Sequence, residues 1–272
     1  MEPNQIDLPP VPKPAEPGGP QAVAPAWHTI LLVAAVLAVS IHGASRFSVQ
    51  HNPTNRLATY GYTIAMELAM LGWIILGLRL RKTPLRSLLG AFSFNFRALV
   101  VDIAFALVFW ICSLMVLGTL AIAWSGIEAA VAHGQPASPI GQQPALNASQ
   151  EKTLRALTQL APSNGEEIAA WALLCLVAGV VEEISFRGYL QRQFIAWTNG
   201  RVTAGVLLSA LCFGFAHAYQ GLRGIFLIAV FGALFSLLAL YRRSLRAGMF
   251  AHTWQDFLVG VAIAFFKSHH FF

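Results

Sequence analysis

The chain has 272 residues, 56% of them hydrophobic and only 11% charged, against roughly 25% charged in ordinary soluble domains. That composition excludes a water-soluble globular fold, because a chain of this length has no interior large enough to hide so much apolar surface. The net charge of +6 sits in short basic clusters between apolar segments, where it sets membrane orientation rather than marking a nucleic-acid surface.

Residues 1–25 are rich in proline and acid, with Lys13 the only basic residue. They lack the basic and apolar regions of a signal peptide and read as a solvated tail. Seven candidate spans follow, at about 26–45, 58–78, 98–123, 167–190, 202–220, 224–241 and 246–266, each near the length that crosses a hydrocarbon core of about 30 Å. The expected fold class is therefore all-α, a polytopic transmembrane helical bundle of about seven or eight spans. Its parts are an N-terminal group of helices (26–124), an extracytoplasmic loop (125–166), a core (167–266) and a short C-terminal tail (267–272).

Basic residues cluster in alternate connections: Arg79, Arg81, Lys82, Arg86 and Arg97, then Arg192 and Arg201, then Arg242, Arg243 and Arg246. The positive-inside bias places these connections and the N-terminus in the cytoplasm and the C-terminus outside. The compact architecture suits a bacterial inner membrane. In the long loop, Pro136, Pro139, Pro144 and Pro162 predict irregular structure, with a short amphipathic helix over 149–160. Asn147-Ala148-Ser149 matches a glycosylation acceptor, a pattern frequent by chance. Cys112, Cys175 and Cys212 lie in apolar runs without ligand spacing and read as small buried hydrophobes.

The most telling residues are ionisable groups inside apolar runs. Ile168 to Val181 contains no ionisable side chain, and then Glu182 and Glu183 follow, with Arg187 four residues on. Glu183 and Arg187 share a helical face and can pair, whereas Glu182 is turned about 100° away. A charged group at membrane depth costs about 2.5–3.5 kcal/mol on insertion scales, which favours a site over a packing role. In the next span Phe213-Gly214-Phe215-Ala216-His217 ends in an imidazole. Glu182 and His217 lie at nearly equal distances from the turn at Thr198-Asn199-Gly200, so an antiparallel hairpin brings them to similar height. In the last span His252 and Asp256 are four apart on one face, about 9 Å along the helix from Arg246. Gly221 and Gly224 predict broken backbone after His217, which membranes tolerate where it is buried or lines a water-filled cavity. Two further carboxylates, Glu67 and Asp102, read as structural. Asp102 has Arg97 as its expected partner, and no spacing links Glu67 to the other groups.

Glu182-Glu183-Ile184-Ser185-Phe186-Arg187, Phe213-Gly214-Phe215-Ala216-His217 and His252-Thr253-Trp254-Gln255-Asp256 resemble the EExxxR, FxxxH and HxxxN-type motifs of the CPBP family. That family includes CAAX prenyl endopeptidases and the bacteriocin-processing group called Abi. The resemblance covers about residues 167–260. It implies an intramembrane protease without a cofactor, acting on a peptide or membrane-protein substrate in the bilayer. Carried over, Glu182 is the general base, His217 helps to hold and activate water, and His252 stabilises the oxyanion together with Asp256. Glu183 and Arg187 form a structural pair, and Phe213 belongs to the motif. Asp256 departs from the asparagine usual in prenyl proteases, since an ionised aspartate cannot donate to an oxyanion.

The departure opens a zinc reading, in which Glu182, His217, His252 and Asp256 form a mixed nitrogen and oxygen set, although no HExxH is present. Two readings outside hydrolysis stand beside it. One is a non-catalytic immunity or scaffold protein, and the second is a proton-coupled transporter with Glu182 and His217 as its relay.

Overall fold

The computed structural model describes residues 19–49, 55–91, 95–131 and 148–269. Most of the expected N-terminal tail, the centre of the expected long loop with Asn147, and the last three residues lie outside these ranges. The described residues are helical, with no strand among them and one isolated bridge, between Gly90 and Ser244.

In chain order the helices are α1 (Ala26–Val49), α2 (Arg56–Leu80), the short α3 (Arg86–Leu89), α4 (Phe96–Val131), α5 (Ala148–Leu160) and α6 (Gly165–Glu182). A π-helical segment, Glu183–Leu190, joins α6 to α7 (Gln191–Trp197), after which come α8 (Val202–Ala216), α9 (Gly221–Arg242) and α10 (Arg246–Ser268). Six stretches are long and apolar enough to cross a membrane: α1, α2, α4, the continuous Gly165–Trp197 helix, Ala218–Arg242 and α10. Large apolar side chains such as Val108, Ile111, Met115 and Ile122 of α4 face outward. In water they would form a long apolar face; in hydrocarbon they are solvated. The chain is an integral membrane protein.

One expected span is shorter than its apolar run. α8 has 15 residues and ends at Ala216, about 22 Å of helix, less than the hydrocarbon thickness. His217 leaves helical geometry, a 3-10 turn spans Ala218–Gln220, and Gly221 takes φ 81°, a left-handed value that suits glycine. The freed polar groups find partners. Ser40 of α1 donates to the Phe215 carbonyl (2.7 Å) and accepts from the Ala218 amide (3.1 Å). Thr153 of α5 donates to the Gln220 carbonyl (2.9 Å). Broken backbone thus sits where neighbouring helices satisfy it.

Contacts fix the directions. Gly214 of α8 faces Ile225 and Ala229 while Gly232 of α9 faces Phe213 and Ala210, so these helices run antiparallel. Gly179 of α6 abuts Thr253 while Gly260 abuts Trp171, so α6 and α10 are antiparallel as well. A Cβ on Gly179 would collide with the Thr253 backbone, and its absence lets these two helices come close. The start of α1 is tied to the far end of the long helix. Gln193 accepts from the Val23 and Ala24 amides (2.9 and 3.2 Å) and donates to the Ala24 carbonyl (2.8 Å).

Two apolar cores result. One includes Leu32, Ile74, Leu88, Ile184, Tyr189 and Phe213, and the second Ala106, Phe231, Phe235, Leu238, Ala247 and Ala251. The ionisable residues of the core segment lie along the seam between them.

Asp102 has different partners from the one expected. Its carboxylate receives Arg242 (2.7 and 3.2 Å) and Arg246 (2.5 Å). Arg97, five residues earlier in the same helix, points about 140° away from Asp102, whereas the turn between α9 and α10 brings two guanidinium groups onto it.

Candidate active site

The π-helical segment carries the first cluster, and all eight of its residues are buried. Its wider turn is closed by the Gln191 amide donating to the Phe186 carbonyl, which also accepts from Ser209 of α8 (2.6 Å). Such π-turns recur at functional sites. Here the widening begins at Glu183, one residue after Glu182.

Glu183 and Arg187 meet inside the bundle, with Arg187 Nη1 3.1 Å from Glu183 Oε1 and both side chains at most 1% exposed. The guanidinium carbon lies 4.2 Å from the Phe213 ring centre and 4.9 Å from that of Phe235. Nη2 also donates weakly to the Gly232 carbonyl (3.4 Å). Aromatic faces complement a desolvated cation, so Phe213 forms part of the box around Arg187. Across the seam, Gly248 of α10 leaves room for Glu183: a methyl group there would stand 2.8 Å from Glu183 Oε2.

His252 extends the cluster onto α10. Its Nδ1 lies 3.2 Å from Glu183 Oε1, and its Nε2 lies 3.6 Å from both Glu182 Oε2 and Asp256 Oδ2. The ring stacks on Phe235 (5.1 Å between centres) and meets Phe213 edge-on (5.8 Å). A carboxylate only accepts, so the Glu183 contact requires a proton on Nδ1 and leaves Nε2 directed at Glu182 and Asp256. Exposure rises outward from Glu183 (0%) through His252 (4%) and Glu182 (13%) to Asp256 (38%). The cluster therefore opens on its Asp256 side.

His217 caps α8 and packs edge-on against Phe213 (5.0 Å). Its Nδ1 donates to the Phe213 carbonyl (3.0 Å), which in the neutral ring leaves Nε2 as an acceptor. His217, Glu182 and His252 all lie within electrostatic range of Asp256, and Tyr219 lies within range of Glu182 and Asp256. Phe213 thus touches Arg187, His217 and His252, which come from three separate helices.

Among the described residues no three His, Cys, Asp or Glu side chains are arranged to hold a metal ion. Glu183 holds His252 Nδ1, and Glu182 and Asp256 lie beside its Nε2. Two cavities lie elsewhere, one of about 330 Å³ at the far end of α4 lined by Trp124, Ile127, Glu128 and Val131. The second, of about 280 Å³, lies between α3, α7 and the α9–α10 turn.

Residues 164–258 match the family model described as "Type II CAAX prenyl endopeptidase Rce1-like". This segment is similar to the CAAX-protease family. No curated protein matches the chain, and no solved structure does. The Rce1-like segment begins at the N-cap of α6 and ends two residues after Asp256, so it contains all three motifs and both faces of the seam. Over this stretch the chain is similar to membrane endopeptidases of the CAAX type.

Glu67, which the sequence marks as a hydrogen-bonded structural residue unconnected with the motifs, has a different setting in the bundle. It stands within electrostatic range of Glu182, His252 and Asp256, and its Oε2 is buried with no hydrogen-bond partner among the described residues. It lies on α2, far outside the Rce1-like segment. A lone carboxylate in the middle of a span is the signal available in the sequence, but only helix packing shows which groups it faces.

Proposed function

We propose that the protein hydrolyses peptide bonds at this buried cluster, with Glu182 as general base and His217 and His252 as its partners. The carrying observation is the placement of His252. One nitrogen is tied to the Glu183–Arg187 pair, and the second faces Glu182 and Asp256 at equal distances of 3.6 Å.

In this reading a water molecule lies near Glu182 and donates an O–H hydrogen bond to His217 Nε2. Glu182 takes a proton as the water oxygen bonds to the carbonyl carbon of the substrate. The carbonyl oxygen becomes an oxyanion beside His252, which as an imidazolium donates from Nδ1 to Glu183 and from Nε2 to the oxyanion. A donor so placed is worth about 3–4 kcal/mol in the transition state. The tetrahedral species collapses as the C–N bond breaks, and the proton held by Glu182 passes to the leaving nitrogen. Asp256, 3.6 Å from Nε2, stabilises the His252 imidazolium by its charge, a role open to an ionised aspartate where direct donation to the oxyanion is not. The substrate is a peptide segment presented at or within the bilayer, reaching the cluster from its open Asp256 side. The N-terminus is cytoplasmic, as the basic ends of α2, α7 and α9 favour.

The test is cleavage of a membrane-protein and peptide library by purified full-length protein in detergent, comparing wild type with Glu182→Gln and His217→Ala. Loss of cleavage in both variants, with unchanged thermal midpoints, is expected. Full activity of Glu182→Gln would sink the reading. A scaffold or immunity role predicts no cleavage by any of the three, and a proton-coupled transporter predicts transport that collapses with the proton gradient.

A further inference from the structure

Tyr60, Glu67 and Ile74 are spaced by seven residues and share one face of α2. The two outer members are fully buried: Tyr60 is 1% exposed, with its ring 5.5 Å from that of Trp171 in α6, and Ile74 is 0% exposed. Glu67 therefore occupies the centre of an inward-facing stripe, packed against the helix that carries Glu182. Its Oε2 and the Oε2 of Glu182 are both buried without a hydrogen-bond partner among the described residues, and the two carboxyl groups lie within electrostatic range of each other. Apolar packing would be better served by leucine at this position, since an unpaired buried carboxyl group is costly.

The surroundings make a purely structural explanation harder. Four carboxyl groups, Glu67, Glu182, Glu183 and Asp256, face two histidines and one arginine, and Arg187 is committed to Glu183. Tyr219 adds a hydroxyl near Glu182 and Asp256. Neighbouring carboxylates in a low-dielectric site do not all remain ionised, and such a pair shares a proton.

We propose that Glu67 and Glu182 act as a carboxyl pair sharing one proton across the contact between α2 and α6, so that the active site extends beyond the Rce1-like segment. This rests on the protease reading above and divides its proton transfers between two residues. Ionised Glu182 takes the proton of the attacking water while that oxygen bonds to the carbonyl carbon. Protonated Glu67 gives its proton to the leaving nitrogen as the C–N bond breaks. The proton on Glu182 then moves to Glu67, which restores the starting pair. One water is consumed, and one carboxylic acid and one amine are formed.

The experiment has two readouts on full-length protein in detergent. The first needs no substrate: infrared spectra across a pH titration, which resolve the carbonyl stretch of a protonated carboxyl group, for wild type, Glu67→Gln, Glu67→Asp and Glu182→Gln. A band absent in Glu67→Gln, retained but displaced in Glu67→Asp, and displaced in Glu182→Gln supports the shared proton. A spectrum in which Glu67→Gln removes no band, or in which Glu182→Gln leaves the Glu67 band unmoved, overturns it. Glu67→Asp keeps the titrating group should the glutamine variant fail to fold.

The second readout is cleavage of the same library. Glu67→Gln is expected to lower kcat about 100-fold, within the ordinary range for a lost acid–base group, with KM unchanged and one limb of the pH profile gone. Glu67→Asp is expected to recover part of the rate. Wild-type rate and an unaltered pH profile in Glu67→Gln would overturn the donor role. Loss of the protease reading is seen separately, as cleavage that survives Glu182→Gln.

Discussion

Two groups of buried charge lie in this bundle and are built differently. Near the basic end, Asp102 receives Arg242 and Arg246, at 2.7 and 2.5 Å: one carboxylate held by two guanidinium groups. Farther along α10, His252 lies among the acceptors Glu67, Glu182 and Asp256, with His217 in range of Asp256, and the Oε2 atoms of Glu67 and Glu182 have no hydrogen-bond partner among the described residues. The first group is closed by fixed partners, whereas the second keeps unsatisfied atoms, which on the proposed reading is where a water or substrate enters. The Glu183–Arg187 pair stands between the two. It is closed like the first group, yet through His252 Nδ1 it orients the second.

Opposite outcomes at Glu182 and Asp102 give the sharpest contrast. Glu182→Gln is expected to reduce cleavage by about 1,000-fold, within the range for a general base, while leaving the thermal midpoint in detergent unchanged. Asp102→Asn is expected to lose about 3–5 kcal/mol of stability, because it leaves two guanidinium groups without their carboxylate. Thermal unfolding and a cleavage assay on both variants measure this. Equal stability losses would erase the distinction between the two groups.

The intermediate pair has its own prediction. Arg187→Met is expected to destabilise the protein by about 3–5 kcal/mol by stranding Glu183, and Arg187→Met with Glu183→Gln to recover part of it. Cleavage should remain low in the double variant, since His252 Nδ1 has then lost its carboxylate. Thermal midpoints with rates separate the two effects. Gly248→Ala is a smaller change: its methyl group, 2.8 Å from Glu183 Oε2, is expected to cost about 1–3 kcal/mol of packing strain. It should lower the rate by displacing Glu183 from His252, which parallel stability and activity measurements check. The smallest effect concerns metal. On the glutamate mechanism proposed above, prolonged treatment with a strong chelator is expected to leave cleavage unchanged. Loss restored by zinc would favour a metal mechanism instead.

The sequence by itself determined the class of the molecule, because apolar runs near the membrane thickness leave helices as the available structure. It also located the three motif clusters, because an ionisable side chain within an apolar run has few structural reasons to be there. The pairing of Glu183 with Arg187 was legible for the same local reason, since four residues bring two side chains onto one helical face. The break after His217 was signalled by Gly221, whereas Gly224 lies inside α9. Tertiary structure decided the rest. Asp102 takes arginines from α9 and α10, more than a hundred residues away, and no helical spacing encodes that choice. Glu67 comes within electrostatic range of Glu182 because α2 packs against α6 with the Tyr60–Ile74 stripe turned inward, and a lone glutamate carries no periodicity that names its neighbours. The π-helical turn at Glu183 likewise depends on neighbours, among them Ser209 bonding the Phe186 carbonyl. Local sequence sets which faces a helix has; the packing of distant helices sets what each face meets.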